Sequence, residues 1–163
     1  MNERQKQCGH DATLPTNINI KRILREQFDL SFEETYAADV FPFIKEGSMG
    51  AKNPFRDLVK SASEYAVPQI DIVRPKMVIC LGSAPFNAIR SSTNNGKWMP
   101  MKNAYMVEAP FHTELTGVPI FGVIHVGGQA TAFAGGKAKL EPRWQALGAH
   151  FRSIRSLPAS KSE

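Results

Sequence analysis

The chain has 163 residues, of which 42% are hydrophobic and 21% charged, a balance that suits one folded domain rather than a disordered chain. Its net charge of +5 permits binding to a polyanion such as DNA without requiring it. No apolar run reaches the ~18 residues of a membrane span, and none follows the charged start of the chain. We therefore expect a cytoplasmic protein with no membrane contact and no secretory signal.

The cysteines and histidines indicate no metal centre. The two cysteines, Cys8 and Cys80, are too few for a four-thiolate cluster. Cys80 lies in the apolar run 77–81 and is expected to be a small buried hydrophobe in a reducing compartment. No group of histidines with a carboxylate has the spacing of metal ligands, so we assign no role to the histidines at 10, 112 and 150. We expect no metal and no cofactor.

The first elements in chain order are a helix and a strand. Residues 1–16 are polar and aperiodic, as in a flexible arm. Apolar residues then recur at the spacing of one helical face, at Ile20, Ile23, Leu24 and Phe28. Residues 36–43 are mostly apolar and predict a short buried strand that stops at Pro42.

The middle of the chain predicts a helix, a turn and a strand. Pro54 opens the helix at a favoured first-turn position, Pro68 interrupts it, and Arg74-Pro75 ends it. The continuous apolar run 77–81 is typical of a strand that is covered on both faces. A turn at Gly82 follows, and Ser83 is the expected N-cap of a helix through about residue 90.

The last third predicts two strands and a helix. Residues 105–109 and 118–125 are the strands, and residues 127–137 form a flexible glycine-rich loop with a basic end. The final helix spans 137–152, with its apolar face built from Leu140, Trp144, Leu147 and Phe151. We expect one domain over 17–155 and a flexible tail over 156–163.

Strands that alternate with helices predict an α/β sandwich around a small, mostly parallel sheet. Ligands of such sheets bind beyond the carboxyl ends of the strands. Three strand ends carry candidate residues, which are Asp39 with Phe41, Gly82 with Ser83, and His125 with Gly127. If the strands are parallel, these groups converge on one crevice. The alternative for His125 is a residue that caps a strand and bonds a nearby carbonyl.

Three stretches carry a resemblance to a known family. The segment 68–85, PQIDIVRPKMVICLGSAP, resembles the middle of the uracil-DNA glycosylase superfamily, where a kinked helix, an Arg-Pro turn and a strand ending in Leu-Gly-x-x-Ala recur. Residues 39–43 are similar to the strand that carries the base-reading residue. His125-Val126-Gly127-Gly128 is similar to the second catalytic motif, which usually begins His-Pro. The similarity covers about residues 36–151.

The resemblance implies a three-layer α/β/α sandwich that binds a flipped base in single- or double-stranded DNA and hydrolyses its N-glycosidic bond. His125 would then be the catalytic residue and donate a hydrogen bond to the O2 atom of the base. Phe41 or Phe43 would stack on the base. Backbone contacts would come from Gly82, Ser83, Gly127, Gly128 and Lys137, and Phe133 would be the minor-groove wedge.

Each of these roles has a structural alternative. Phe41 and Phe43 can be core residues, Gly82-Ser83 an ordinary strand-to-helix turn, and the loop over 127–137 a mobile lid without DNA contact. Asp39 can simply bond a turn amide.

Asp39 bears on which base is read. An ionised Asp can only accept hydrogen bonds, so it would satisfy the N3–H of uracil but oppose its O4. Two alternatives stay open. Asp39 could be protonated by burial and still read uracil, or it could prefer a base with an amino group, such as cytosine.

The departures from the family pattern leave the activity open. No Gly-x-x-Pro loop, which handles water in the family, precedes residue 36. Asp39 stands where Asn is common, and Val126 where Pro is usual. The chain would then be a short or truncated member. The alternatives are a non-catalytic nucleic-acid-binding relative and another doubly wound enzyme that binds a nucleotide or other phosphate ligand.

Overall fold

The computed structural model describes residues 13–43, 53–94, 98–101, 111–112 and 117–156. The predicted strand at 105–109, most of the predicted arm and most of the tail lie outside these residues. The chain divides into two compact units. The terminal unit comprises Met1–Tyr36 and Ile124–Glu163, and the central unit comprises Ala37–Val123. One domain over 17–155 stays a prediction.

The elements alternate between helix and strand along much of the chain. The helices are α1 (Pro15–Ile23), α2 (Phe55–Ser61), α3 (Val67–Val73), α4 (Ser83–Asn94), α5 (Gly128–Phe133) and α6 (Lys137–Arg155). The strands are β1 (Val78–Leu81), β2 (Phe111–His112) and β3 (Pro119–Val123). Wide π turns follow α1 at Leu24–Phe28 and α2 at Ala62–Ala66, and a 3-10 turn spans Phe32–Glu34. Throughout the described ranges, every helix is too short or too polar to cross a membrane.

The sheet of the central unit has the order β1-β3-β2. β1 and β3 are parallel, with Val78 opposite Ile120 and Leu81 opposite Val123, whereas β2 is antiparallel to β3. The predicted mixed α/β class is confirmed, and the sheet contains one parallel pair. The sequence predicts His112 in a loop, but the residue lies in β2. The prediction missed this strand because two residues are too few to show an alternating pattern.

The core of the central unit lies between β1, β3 and the helices α2 to α4. Its buried residues are Leu58, Ala62, Val67, Ile70, Cys80, Phe86, Ala88, Ile89, Val118 and Ile120. The Phe86 ring packs directly on β3 at Gly122, where a Cβ atom would come within 2.9 Å of the ring. A larger residue at this point of the strand would separate α4 from the sheet.

The predicted strand over residues 36–43 is wrong, because the segment is irregular and largely exposed. Pro42 cannot donate to a ladder. The segment is instead held by the buried Ser61 hydroxyl, which donates to the carbonyl of Val40 over 2.8 Å, and by Phe41, which packs against the core. Apolar composition therefore marks an anchored loop here, not a strand.

The prolines act largely as predicted. Pro54 immediately precedes α2, and the π turn lies just before Pro68, which occupies the first turn of α3 and needs no N–H partner there. Arg74 ends α3 in the left-handed conformation with φ 46°, ahead of Pro75.

Two further boundaries differ from the predictions. Ser83 is the first residue of α4 rather than its N-cap, and the preceding Gly82 has φ 110°, which favours glycine. α1 begins at Pro15, inside the predicted arm. Both differences are shifts at element ends, where sequence patterns define boundaries least well.

In the terminal unit, α6 packs against the π turn that follows α1. The Phe28 ring meets Trp144 edge-on at 6.3 Å between ring centroids and Phe151 at 5.7 Å. Arg152 Nη1 donates to the carbonyl of Gln27 over 2.6 Å, which satisfies a backbone group that the π turn leaves available. The predicted helix and its apolar face are confirmed, with Leu140, Trp144 and Leu147 buried.

The glycine-rich segment between β3 and α6 is more ordered than predicted. Residues 127–137 were expected to form a flexible loop, but Gly128–Phe133 form α5. Gly127 caps this helix in an extended conformation, and its carbonyl accepts from the Thr131 N–H over 3.0 Å. The run Ala-Thr-Ala is compatible with a helix, but the glycines on either side of it make the sequence pattern resemble a loop.

We predict that Gly148→Ala destabilises the protein by about 1–3 kcal/mol, because a Cβ atom there would overlap the Gln27 carbonyl oxygen. Helix propensity alone would favour alanine by about 1 kcal/mol, so the expected sign is opposite to that of an open helix site. Urea unfolding measures the change. The matched control is Gln145→Ala on the exposed face of α6, and a stabilised Gly148→Ala variant would contradict the contact.

We also predict that the Cys80 thiol is unreactive in the folded protein. Burial raises the pKa of this thiol to about 12, so little thiolate exists at pH 8. In a Cys8→Ser background, Cys80 is the sole cysteine, and Ellman's reagent should label it only after denaturant is added. Labelling of the native protein at the rate of a free thiol would show that Cys80 is not buried.

Candidate functional site

His125 follows β3, which ends at Val123, so the residue lies in the connection to α5 and not on the strand. Its side chain is exposed. The strand is shorter than predicted because Ile124 and His125 no longer pair with β1, whose own last paired residue is Leu81. An imidazole in this position is accessible to a ligand.

A backbone amide orients the His125 ring. The N–H of Gly127 donates to His125 Nδ1 over 3.0 Å. In the neutral ring, a nitrogen that accepts a hydrogen bond carries no proton, so the proton lies on Nε2. Nε2 has no protein partner among the residues that the structure describes. The predicted alternative, a histidine that bonds a nearby carbonyl, does not match this geometry, because the ring accepts from an amide instead.

Glycine at position 127 is required by the close approach of the ring. A Cβ atom there would lie 2.9 Å from His125 Nδ1, 3.1 Å from its Cε1 and 3.1 Å from the Thr16 hydroxyl oxygen. The backbone of Gly127 has φ −69°, which any residue can adopt. The requirement is therefore steric, and the side chains of His125 and Thr16 set it.

The neighbouring residue Val126 is also fixed within the terminal unit. Its side chain is buried, and its carbonyl accepts from Asn19 Nδ2 of α1 over 2.8 Å. With Val126 held by α1 and Gly127 leading into α5, the backbone on the C-terminal side of His125 is anchored at two successive residues. This anchoring restricts the positions that the imidazole can reach.

The predicted Gly82-Ser83 turn lies at the end of β1. The Gly82 N–H donates to the Val123 carbonyl over 2.8 Å, so the ends of β1 and β3 meet at one edge of the sheet. This N–H is therefore engaged within the protein. The Ser83 carbonyl accepts from Asn87 Nδ2 over 2.8 Å, and the same amide group also binds the backbone of Met99. Hydrogen bonds within the protein therefore hold the backbone of this turn at both Gly82 and Ser83.

The predicted base-reading residues lie on the irregular segment, and Asp39 is not at a strand end. Its side chain is exposed. Phe41 and Phe43 meet edge-on at 5.2 Å, and Phe43 meets Tyr65 at 5.1 Å. Phe43 is 48% exposed and Tyr65 39%, whereas Phe41 packs on the core. The convergence of Asp39 and Gly82 with His125 on one crevice stays a prediction.

The remaining predicted residues lie on α5 and α6. Gly128 begins α5 and is exposed, and a Cβ atom added to it would meet no neighbour within 4 Å. Lys137 is the first residue of α6 and is exposed. Phe133 ends α5, and its side chain lies outside the described residues. Its role as a minor-groove wedge stays a prediction.

Two residues near these positions are absent from the sequence predictions. Tyr65 continues the helical spacing of Leu58 and Ala62, so the sequence predicts a core position, and its 39% exposure becomes visible only in the structure. Thr131 gives no signal in the sequence, because a threonine between alanines is ordinary in a helix. Its burial, to 9% exposed, arises only in the folded chain.

In the described part of the chain, no group of three or more His, Cys, Asp or Glu side chains could hold a metal ion. No protein-family model matches the chain, and no curated protein sequence is significantly similar to it. The geometry around His125 is therefore the basis for any functional proposal.

We predict that Gly127→Ala displaces the His125 ring, whereas Gly128→Ala leaves it in place. The first change inserts a methyl group within van der Waals distance of the ring, and the second faces open space. The ring ¹⁵N shifts of His125 at neutral or higher pH report the tautomer. We expect protonation of Nε2 in the natural chain and in Gly128→Ala, and a mixture in Gly127→Ala. The same spectrum for all three proteins would contradict the proposed role of the Gly127 amide.

Proposed function

We propose that the chain is a uracil-DNA glycosylase-like protein, folded as a three-layer α/β/α sandwich, that binds a flipped base in DNA and cleaves its N-glycosidic bond. The observation that carries this proposal is the hydrogen bond from the Gly127 N–H to His125 Nδ1, which leaves a proton on the exposed Nε2. The resemblance of segments 68–85 and 125–128 to this superfamily supports it.

The chemistry needs a donor at this point. Cleavage of the glycosidic bond leaves negative charge on the departing base, and a hydrogen bond from Nε2–H to the base O2 atom stabilises that charge. Oriented donors contribute about 3–4 kcal/mol in comparable oxyanion sites, because they need little reorganisation during the reaction. The anchored backbone around Gly127 supplies this orientation.

The exposure of Asp39 bears on the preferred base. A protonated Asp that reads uracil requires burial, and Asp39 is exposed in this structure. An acceptor-only carboxylate pairs with a base that offers an amino group, such as cytosine or a cytosine derivative. We therefore include both uracil and cytosine-type bases as substrates to be tested.

A non-catalytic nucleic-acid-binding function is the second candidate. The observation that favours it is the pair of exposed aromatic rings, Phe43 and Tyr65, on an irregular segment and its adjacent helix. Exposed aromatic side chains stack on the bases of single strands at about 1–3 kcal/mol per base without reading sequence. The net charge of +5 suits such a partner.

An excision assay separates these functions. Oligonucleotides that contain uracil, and matched ones without it, are incubated with the protein and then cleaved with alkali. We expect breaks at the target base, and we expect His125→Ala to slow their formation by about 10²–10³-fold because it removes the donor. DNA affinity should change little, and Gln145→Ala is the control for expression and folding.

Other outcomes identify the alternatives. Salt-dependent binding without breaks supports the non-catalytic function. Absence of DNA binding contradicts both candidates and leaves another phosphate-ligand enzyme. Breaks at the target base that form equally fast in His125→Ala would remove the histidine from the chemistry.

A further inference from the structure

The peptide group between Val126 and Gly127 makes hydrogen bonds at both of its ends. Its carbonyl, on Val126, accepts from Asn19 Nδ2 over 2.8 Å, and its N–H, on Gly127, donates to His125 Nδ1 over 3.0 Å. A trans peptide group is planar, and its C=O and N–H point in opposite directions, so the orientation of one fixes that of the other. The partner of Asn19 and the group that orients the His125 ring therefore belong to one rigid plane.

The local chain does little to fix that plane. Rotation of a peptide group changes ψ of the residue before it and φ of the residue after it, and the latter is here a glycine, whose φ is the least restricted. The following peptide group is held independently, because the Gly127 carbonyl accepts from the Thr131 N–H at the start of α5. The plane before Gly127 thus depends on hydrogen bonds with side chains for its direction.

Reversal of this plane would change the chemistry of the imidazole. The Val126 carbonyl would then face His125 Nδ1, and a ring nitrogen bonds to a carbonyl only when it carries a proton. In the neutral ring the proton would lie on Nδ1 instead of Nε2, so the exposed nitrogen would be an acceptor. Such a ring cannot donate to the O2 atom of a base. The direction of one peptide group therefore decides whether His125 presents a donor or an acceptor.

Asn19 opposes this reversal. Val126 is buried, and a buried carbonyl that loses its partner costs free energy comparable to a lost hydrogen bond. Asn19 lies in the interior of α1, so a regular backbone positions its short side chain. Thr16, one turn earlier in the same helix, lies against Gly127, where a Cβ atom would come within 3.1 Å of its hydroxyl oxygen. The helix α1 therefore contacts both residues of the peptide group.

We propose that Asn19 is a positioning residue that selects the His125 tautomer through the peptide group between Val126 and Gly127. It acts through the backbone and not on the substrate. A hydrogen bond accepted by the carbonyl also polarises the N–H of the same peptide group, which strengthens the bond to Nδ1. The inference deepens the proposed function, on which its consequence for catalysis rests. The tautomer itself can be measured without any reaction.

The test follows the ring ¹⁵N signals of the full chain at neutral or higher pH. The chain has four histidines, and the signals of His125 are those that disappear in His125→Ala. Asn19→Leu removes the donor at similar volume, and we expect it to convert the Nε2–H form into a mixture with the Nδ1–H form. Asn19→Gln keeps an amide donor and should retain more of the Nε2–H form than Asn19→Leu. The same tautomer in Asn19→Leu as in the natural chain would overturn the proposal.

A neighbouring substitution controls for general disturbance of α1. The Ile18 side chain is exposed, and Ile18→Ala should leave the His125 signals unchanged. A tautomer mixture in Ile18→Ala would show that any change in this helix has the effect, and would overturn the specific role of Asn19.

A measurement on the natural chain does not depend on whether a variant folds. We expect a scalar coupling across the hydrogen bond between the Asn19 side-chain ¹⁵N and the Val126 carbonyl ¹³C. Its absence, in a spectrum where couplings across backbone hydrogen bonds of α6 are seen, would overturn the proposal.

The excision assay measures the consequence for catalysis. Asn19→Leu should lower kcat by about twofold to tenfold, the range of one hydrogen bond, and leave KM for the oligonucleotide little changed. The loss should be smaller than the about 10²–10³-fold expected for His125→Ala, because part of the population keeps its donor. Asn19→Gln should recover part of the loss.

The two proposals can fail separately. A tautomer that changes in Asn19→Leu, without excision of any base by the natural chain, supports the positioning role while the glycosylase activity fails. Excision that depends on His125, with a tautomer that is indifferent to Asn19, overturns the positioning role and leaves the proposed function standing.

Discussion

A single backbone amide, the N–H of Gly127, sets the chemistry that His125 can perform. By donating to Nδ1 it holds the ring against the backbone and leaves the second nitrogen as a donor. The contact demands glycine, since a side chain would occupy the space of the ring and of the Thr16 hydroxyl. Gly127 is therefore needed for close packing against the His125 ring. The composition of this segment predicts a flexible loop, but its backbone is closely packed.

The segment that follows His125 is fixed at several points within the terminal unit. Asn19 donates a hydrogen bond to the Val126 carbonyl, and Gly127 caps α5. The Thr131 carbonyl then accepts a hydrogen bond from the Gly136 N–H, just before α6 begins. Residues 125–137 thus carry a donor at one end and a helix N-terminus at the other, with little irregular backbone between them. Such a segment holds the His125 side chain within a narrower range of positions than a mobile loop would.

Helical periodicity predicted α6 and continuous apolar runs predicted β1 and β3, because burial of one helical face or of a whole strand leaves a direct mark on the sequence. The turn at Gly82 and the expected cap at Ser83 predicted α4. Residues 36–43 are apolar but do not form a strand, because only Val40 and Phe41 pack on the core, and the hydrogen bond that holds the segment comes from Ser61, which is distant in sequence. The hydrogen bond from Asn19 that anchors Val126 and the burial of Thr131 also depend on residues distant in sequence. The sequence indicated His125 as a candidate residue, but it could not show which ring nitrogen carries the proton.

The proposed catalytic power has a limit that follows from the donor alone. A stabilisation of about 3–4 kcal/mol corresponds to roughly 10²–10³ in rate, well below the ~10⁶-fold or more that enzymes typically reach. The remainder must come from orientation of the flipped base and from a water held on the far side of the sugar. The sequence offers no residue for this water, because no Gly-x-x-Pro loop precedes residue 36, and Asp39 is predicted to face the base instead. A chain with the His125 donor but without an ordered water-handling residue would therefore bind a base well and cleave it slowly.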